Sequence, residues 1–188
     1  MEKKSEARER IVKTASKLFY ENGYSETGIN EILEKSSSFK KTLYRYFPSK
    51  TDLGIFYIKE VEEEVFDLVK RVLNKHPKFE NFSEAWIKLI QRRNIKKYFL
   101  GCPLANIFFQ SHKSPEMKKI IYQGFQKFKD IFTDYFLRNY QFSEIKARKL
   151  SEEILFLYEG AMVMYGIEQD KKYFDYLAIH LNSICKQI

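Results

Sequence analysis

A short stretch of the chain concentrates the residues best suited to bind an anion. Between residues 35 and 50 five cations occur without a single acid: Lys35, Lys40, Lys41, Arg45 and Lys50. In a helix that begins near residue 40, the apolar side chains would share one face, and most of the cations and a tyrosine would gather on the other. A face of this kind is suited to the phosphates and base edges of nucleic acid.

The neighbouring residues predict how that face would be held. Residues 27–35 form another short amphipathic pattern, and three serines, residues 36–38, separate the two predicted helices. Leu43 and Phe47 lie one turn apart on the apolar face of the second helix, so a core behind them would present the cations outward. Two short helices joined by a tight turn are typical of a helix-turn-helix unit. The alternative from these residues alone is an ordinary surface helix with a solvated basic face.

Many spaced residues around this segment agree with one known pattern. The first segment, Arg10 to Tyr24, contains an Ala15/Leu18/Phe19 core and ends its helix at Gly23-Tyr24. Thr27, Ile29 and Ile32 follow. The last segment, Thr42 to Lys50, contains Thr-Leu-Tyr and Phe-x-Ser-Lys. In these positions the chain resembles the DNA-binding domain of the TetR family of repressors, over residues 8–53. The resemblance implies a three-helix DNA-binding domain at the amino terminus.

The predicted turn departs from that family's pattern. Where the family usually has Ala-Gly-Val-Ser, this chain has Ser36-Ser37-Ser38-Phe39. Glycine adopts a positive φ freely, whereas Ser37 does so only at some cost. Ser38 also lacks the apolar side chain that usually attaches the turn to the core, and Phe39, four residues before Leu43, is the candidate to replace it. An anchor at Phe39 would rotate or shift the start of the recognition helix.

The resemblance implies which side chains contact double-stranded DNA. Four residues match family positions that usually bind phosphates and set the register: Thr27, Tyr44, Tyr46 and Lys50. The candidates for contacts to base edges are Lys40, Lys41, Thr42 and Arg45. Lysine and arginine suit guanine O6 and N7. Two such helices would enter successive major grooves of a near-palindromic operator.

The composition narrows the class of protein. The 188 residues are 44% hydrophobic and 31% charged, which is typical of an ordered globular protein. The net charge of +8 favours an anionic partner, and no apolar run approaches the ~20 residues that span a bilayer. The chain has two distant cysteines without a Cys-x-x-Cys spacing, and its amino terminus lacks a signal-peptide pattern. We therefore expect a cytoplasmic protein that has no membrane partner.

Residues suited to catalysis or metal binding are sparse. His76, His112 and His180 stand alone in the sequence, without the spacing that a metal site requires. The seven glycines are scattered and form no phosphate-binding loop. Cys102 follows a glycine and could be a redox-responsive thiol, although a buried structural cysteine is the commoner case. We expect neither an enzyme nor a bound cofactor.

Helical periodicity runs through almost the whole chain, and no long segment alternates with period two. The pattern predicts an all-α protein of about nine helices. Residues 1–50 would form the helix-turn-helix domain, and residues 51–188 a larger helical domain for ligand binding and dimerisation. Within the larger domain, residues 101–106 and 157–165 resemble the ligand domain of the same family, more loosely than the amino-terminal segment does.

Aromatic residues of the larger domain predict a ligand cage. By the resemblance, a small effector would bind between its helices, and pockets are typically apolar with a few polar groups. The candidate lining residues are Trp86, Tyr98, Asn106, Phe109, Gln110, Phe125, Phe128, Tyr158, Met162 and Tyr165. The alternative for each of them is an ordinary place in the core. Glu159, on an otherwise apolar helix, would be either a counter-charge for a cationic ligand or an exposed or polar-capping carboxylate.

An apolar stripe on the last two predicted helices indicates a homodimer. It comprises Ile154, Ala161, Leu177, Leu181 and Ile184. Either the chain's own core or a second chain must cover such a stripe, and the resemblance favours a second chain. The combined hypothesis is a homodimeric, ligand-responsive transcriptional repressor whose effector changes the spacing of the recognition helices. The alternative is a helical small-molecule-binding or adaptor protein that has lost sequence-specific DNA binding.

Overall fold

The computed structural model describes residues 2–93, 101–111 and 114–186. Within these residues the chain forms nine α-helices and no strand, which confirms the predicted all-α fold. In chain order the helices are α1 (Glu2–Glu21), α2 (Ile29–Lys35), α3 (Lys40–Tyr46), α4 (Lys50–Lys75), α5 (Phe79–Arg93), α6 (Pro103–Gln110), α7 (Pro115–Tyr140), α8 (Glu144–Glu168) and α9 (Lys172–Cys185).

The helices group into two compact units. The first comprises Met1–Glu62 and Pro103–Ile121, and the second comprises Glu63–Cys102 and Tyr122–Ile188. The long helices α4 and α7 each contribute residues to both units. The division predicted at residue 50 describes functional domains, and it stays a prediction.

In the first unit α1 packs against both α2 and α3. The predicted apolar face of α1 is its buried side, where four residues are at most 4% exposed: Ile11, Ala15, Leu18 and Phe19. Just after α1, Gly23 has a φ of 92°, and a Cβ atom there would lie 2.7 Å from Oε1 of Gln110. The left-handed backbone favours glycine at this position, and the absence of a Cβ also leaves room for the Gln110 amide.

The carboxyl end of α6 holds the connection between α1 and α2. Oε1 of Gln110 accepts a hydrogen bond from the main-chain N–H of Ser25 at 3.1 Å, and the Gln110 carbonyl accepts one from the Ser25 hydroxyl at 3.0 Å. The adjacent ring of Tyr24 packs edge-on against Phe19, with the ring centres 5.1 Å apart. These contacts fix the residues that lead into α2.

The core of the second unit is rich in aromatic rings. In this unit α9 packs against α5 and α8. Eight aromatic side chains of the described part of this unit are at most 3% exposed: Phe79, Phe82, Trp86, Phe128, Phe132, Tyr135, Phe136 and Phe174. Tyrosine hydroxyls inside this core have main-chain partners, since Tyr135 donates to the Pro77 carbonyl at 2.8 Å and Tyr140 accepts from the Phe79 N–H at 2.6 Å. The core thus buries large rings without leaving these hydroxyls unpaired.

Candidate functional sites

The third helix buries its apolar side and exposes its basic side. Leu43 of α3 and Ile32 of α2 are fully buried, and Phe47, immediately after α3, is 4% exposed. Four residues of α3 that could contact an anion are exposed: Lys40, Lys41, Tyr44 and Arg45. The first unit therefore presents a short basic helix on its surface, supported from behind by a hydrophobic core.

Main-chain hydrogen bonds close the serine turn between α2 and α3. The N–H of Ser38 donates to the Leu33 carbonyl at 3.0 Å, and Ser37 has a φ of 50°. This is a Schellman-type helix end, with serine in the left-handed position that glycine usually occupies. Arg10 of α1 adds a hydrogen bond from its Nε to the Ser36 carbonyl at 3.3 Å. The turn is thus formed despite the missing glycine.

Phe39 does not attach the turn to the core. Its side chain is 82% exposed, so the expectation that it replaces the apolar anchor is wrong. The start of α3 is fixed by the main chain instead, because the N–H groups of Thr42 and Leu43 donate to the Phe39 carbonyl at 2.8 and 3.1 Å. The recognition helix therefore begins at Lys40 with the Phe39 ring pointing into solvent.

Thr27 is used inside the first unit. The residue is fully buried, and its Oγ1 lies 2.8 Å from the Gly23 carbonyl and 3.1 Å from the Leu18 carbonyl. The hydroxyl donates inward, toward the end of α1. The Thr27 hydroxyl therefore stabilises the start of the helix-turn-helix unit, and a phosphate contact at this position stays a prediction.

Lys50, at the start of α4, also contacts its own chain. Its Nζ donates to the Ser25 carbonyl at 3.2 Å and lies 4.6 Å from the centre of the Tyr24 ring. Burial lowers the pKa of the Lys50 amine. The ammonium group joins α4 to the connection between α1 and α2, and its contact with a phosphate stays a prediction.

The other predicted DNA contacts differ in their local environment. The Arg45 guanidinium lies 4.9 Å from the centre of the Tyr46 ring and donates to the Tyr46 hydroxyl at 3.3 Å. Thr42 is partly buried on α3. Lys35 belongs to a pair within α2, since its Nζ lies 2.8 Å from Oε1 of Glu31. The exposed basic character thus concentrates on α3.

Arg8 makes a contact that the sequence pattern did not predict. The guanidinium of this α1 residue lies 4.6 Å from the centre of the Phe56 ring and 5.6 Å from that of Phe47. A cation above aromatic faces is attracted by their quadrupoles. Arg8 therefore helps to position α1 beside the end of α3, and the long sequence separation from Phe47 gave no local signal of it.

Three predicted cage residues form an aromatic stack in the second unit. The ring centres of Trp86 and Tyr158 lie 5.1 Å apart, with an angle of 17° between the ring planes. Those of Phe128 and Tyr158 lie 5.8 Å apart, with an angle of 22°. Met162 and Tyr165, which follow on α8, are 4% and 5% exposed. We call Trp86, Phe128 and Tyr158 the aromatic stack.

The remaining predicted cage residues lie elsewhere. Asn106, Phe109 and Gln110 are on α6, which belongs to the first unit. Phe109 is 72% exposed, and Gln110 holds the connection after α1, so neither side chain lines the predicted cage. Phe125 is partly buried on α7, and Tyr98 lies outside the described residues. Trp86, Phe128 and Tyr158 therefore lie together, and ligand binding at these residues stays a prediction.

Glu159 lies largely inside the second unit. Its Oε2 is buried and has no hydrogen-bond partner within the described part of the chain. The thiol of Cys102, which is 5% exposed, donates a hydrogen bond to this carboxyl group. Burial raises the pKa of Glu159 to about 7, and the hydrogen bond from Cys102 opposes part of that rise. The expectation of an exposed carboxylate is wrong.

The segment before Cys102 is pressed against α8. Gly101 has a φ of 85°, and a Cβ atom there would lie 2.9 Å from the Met162 carbonyl oxygen. Any larger residue would have to displace main-chain atoms of α8. This close approach explains how a short Gly-Cys segment brings a thiol to the Glu159 carboxyl.

The residues predicted to form a dimer interface are in the chain's own core. Their exposure is at most 8%: Ile154, Ala161, Leu177, Leu181 and Ile184. Side chains already covered by their own chain cannot cover a partner, so this residue assignment is wrong. Other large apolar side chains of α8 and α9 are exposed, namely Phe156, Val163, Ile167, Tyr176 and Ile179.

The described residues are 2–93, 101–111 and 114–186. Among them no group of three or more histidine, cysteine, aspartate or glutamate side chains is arranged to hold a metal ion. No helix in the described ranges combines the length and apolar character needed to cross a membrane.

Two family models match the chain. Residues 11–54 match the model described as bacterial regulatory proteins, tetR family. Residues 77–180 match the model of the C-terminal domain of transcriptional regulators like LmrA and YxaF. The two matches correspond to the helix-turn-helix segment and to most of the helices that follow it.

Individual proteins agree with these models. The HTH-type transcriptional regulator YxaF of Bacillus subtilis is 25% identical over 174 residues, which cover 91% of each chain. An HTH-type transcriptional regulator of Staphylococcus aureus is 30% identical over 135 residues, covering 69% of this chain and 73% of the relative. The crystal structure of a TetR-family regulator from Streptomyces coelicolor has a TM-score of 0.86 at 21% identity, covering 98% of this chain and 96% of that one. The last match supports the fold.

Replacing Thr27 by Val should destabilise the first unit. The substitution removes the buried hydroxyl but keeps the shape of the side chain. Because the carbonyls that accept from this hydroxyl would lose a donor, we expect the free energy of unfolding to fall by about 1–3 kcal/mol. Urea denaturation followed by circular dichroism would measure it. Thr14→Val, at a partly exposed position of α1, is the matched control and should change stability by less than about 0.5 kcal/mol. Equal stability of wild type and Thr27→Val would contradict the role assigned to the hydroxyl.

Replacing Glu159 by Gln should change how stability depends on pH. The folded-state pKa of about 7 exceeds the ordinary value of 4.5, so the wild-type carboxyl destabilises the fold increasingly as pH rises between these values. Glutamine does not titrate. The free energy of unfolding of Glu159→Gln, measured relative to that of the wild type, should therefore rise by about 2–3 kcal/mol across that interval. Urea denaturation at a series of pH values measures the difference. A constant difference across the series would show that Glu159 titrates normally.

Proposed function

Because the chain belongs to the TetR family of bacterial regulatory proteins, we propose that α3 recognises a DNA operator in the major groove. The chain is a helix-turn-helix transcriptional regulator. The observation that carries the proposed mode of binding is the orientation of α3. Its buried Leu43 faces the core, while Lys40, Lys41 and Arg45 are exposed together.

The exposed side chains of α3 divide between base edges and phosphates. Arg45 presents a guanidinium, which can bind guanine O6 and N7 with two hydrogen bonds. Lys40 and Lys41 contact guanines or neighbouring phosphates, and the Tyr44 hydroxyl donates to a phosphate. Lys50 retains donors for a phosphate after its bond to Ser25, since an ammonium group has three. The net charge of +8 favours association with DNA at low salt.

A second copy of the chain pairs with the exposed apolar side of α8. Phe156, Gly160, Val163 and Ile167 follow one another at helical spacing along one face, which we call the α8 face. Phe156 is 77% and Ile167 70% exposed, and no atom would lie within 4 Å of a Cβ at Gly160. An isologous dimer would remove this contiguous apolar surface from water and give two recognition helices for a near-palindromic operator. Tyr176 and Ile179 add exposed apolar area on α9.

The second unit binds the effector at the aromatic stack and Glu159. Trp86, Phe128 and Tyr158 are aromatic side chains packed on one another, and Glu159, next to Tyr158 on α8, has a buried carboxyl oxygen without a partner in the described chain. An effector with an aromatic or apolar body and one hydrogen-bond donor, such as an amine, satisfies both features. The donor compensates for the cost of burying that oxygen.

The effector acts on DNA binding through α4. Phe66 of α4 packs against Phe128 of the stack, with the ring centres 6.4 Å apart, and the same helix begins at Lys50 beside Tyr24. Displacing the Phe66 segment would move a continuous helix whose first turns belong to the first unit. In allosteric proteins such coupling typically amounts to ~1–3 kcal/mol. The effector thereby changes the spacing of the two recognition helices and, with it, the affinity for the operator.

The alternative was a helical ligand-binding or adaptor protein that has lost sequence-specific DNA binding. It rested on the unusual Ser36–Phe39 turn. The hydrogen bond from Ser38 to Leu33 and the positive φ of Ser37 reproduce the geometry that glycine provides elsewhere. We therefore favour a regulator that binds a specific sequence.

Fluorescence anisotropy of the purified protein tests DNA binding. DNA from upstream of its own gene is compared with a random duplex at two salt concentrations. Arg45→Ala should lose about 1–3 kcal/mol of preference for the operator, because a contact to a base edge is removed. Lys70→Ala, which removes an exposed cation from α4, is the matched control and should retain the preference. Equal affinity of the wild type for both duplexes would reject the proposed mode of recognition on that DNA.

Sedimentation equilibrium tests the dimer. Phe156→Glu places a charge on the α8 face and should convert the dimer into a monomer, because burying an unpaired charge costs several kcal/mol. Tyr122→Glu makes the same change at an exposed aromatic residue of α7 that is 62% exposed, and it should remain dimeric. A wild-type monomer, or a Phe156→Glu dimer of unchanged affinity, would remove the α8 face from the interface.

A further inference from the structure

Phe39 occupies an unusual place for a phenylalanine. It is the N-cap residue of α3 and makes no side-chain capping hydrogen bond. Serine, threonine, aspartate and asparagine are preferred at this position because they can accept a hydrogen bond from the first turn. The ring is also 82% exposed. Phe39 therefore contributes neither a cap nor a core contact to its own chain.

The backbone holds Phe39 in one position. On its amino-terminal side, the Ser38 N–H is bonded to Leu33 at 3.0 Å, and the Ser38 hydroxyl donates to the Ser36 carbonyl at 3.2 Å. On its carboxyl-terminal side, the Phe39 carbonyl accepts hydrogen bonds from the N–H groups of Thr42 and Leu43. With both sides fixed, the ring is presented outward from a defined point, and little backbone freedom remains to be lost on binding.

The surroundings of the ring indicate what it contacts. Lys40 and Lys41 follow it directly and are exposed, and Arg45 is exposed on the same short helix. In helix-turn-helix proteins the amino-terminal residues of the recognition helix contact base edges. A phenyl ring cannot bind phosphates or the donors and acceptors of bases. The apolar group that DNA displays in the major groove is the C5-methyl group of thymine.

We propose that Phe39 is a specificity-determining residue that packs against a thymine methyl group in each half of the operator. The inference rests on the proposed recognition of the major groove by α3. It adds an apolar contact to the basic ones, so the operator combines a thymine with the bases or phosphates that Lys40, Lys41 and Arg45 contact. The serine that the family usually carries at this position has no comparable apolar surface.

Deoxyuridine substitution tests the contact because it removes only the methyl group. A duplex is first selected from a random library by the full-length wild-type protein, and each thymine is then replaced singly by deoxyuridine. At one thymine in each half-site, wild-type affinity should fall by about threefold to fivefold, which corresponds to the loss of one buried methyl group. Phe39→Ser should bind the thymine duplex and the duplex with deoxyuridine at that position with equal affinity.

Matched variants separate the contact from changes in DNA shape. Phe39→Leu keeps an apolar side chain and should retain part of the deoxyuridine effect, and Arg45→Ala should retain all of it. A repeated selection with Phe39→Ser should lose the thymine preference at the same position. Thermal unfolding checks that the variants fold, which we expect because the replaced ring is exposed.

The outcomes distinguish the two proposals. Tight, sequence-dependent binding by the wild type without any deoxyuridine effect overturns the role of Phe39 and leaves operator recognition intact. A deoxyuridine effect of equal size in wild type and Phe39→Ser also overturns it, since the methyl group would then act through DNA shape or another residue. Failure of the wild type to select any sequence rejects operator recognition itself, and the thymine contact with it.

Discussion

The burial of Leu43 is the contact on which the DNA-binding part of the molecule depends. The helix that carries it, α3, has seven residues, and a helix of that length is not stable alone in water, because few hydrogen bonds offset the cost of nucleation. It forms because Leu43 is fully buried and Phe47 is packed just beyond it, in a unit where α1 contacts α3. The same burial fixes the rotation of α3 about its axis and thereby exposes the cations.

The serine turn adds a local cost that the surrounding contacts offset. A left-handed backbone costs an L-residue such as Ser37 roughly 1–2 kcal/mol. Hydrogen bonds from Ser38 to Leu33 and from Arg10 to Ser36 stabilise the turn. Local sequence preference is also sacrificed at Phe39, where a capping residue would be favourable. Departures from local preference that the fold tolerates often mark functional sites, and both departures here lie at the start of the recognition helix.

Among its described residues, the second unit combines a closely packed aromatic core with one buried carboxyl oxygen that lacks a partner. The hydroxyls of Tyr135 and Tyr140 have main-chain partners, and the aromatic rings around them are closely packed. Glu159, by contrast, keeps a buried oxygen that no described residue pairs with, although the Cys102 thiol donates to its carboxyl group. A protein that needed only stability would favour an apolar residue at this position. The buried carboxyl is therefore a departure from what packing stability alone would favour, and it is the group to which we assign the polar contact of the proposed effector.

Helical periodicity in the sequence was sufficient to predict the all-α fold, the basic recognition helix and the burial of Leu43, because a 3.6-residue pattern states which side chains share a face. It does not state what covers that face. Leu177 and Leu181 were assigned to a partner chain, yet they are buried where α9 packs against α5 and α8. The inward hydroxyl of Thr27 and the exposed ring of Phe39 likewise depend on neighbours distant in sequence and on the exact path of the turn. Only the tertiary structure decides these points, since burial is a property of the packed chain and not of any one helix.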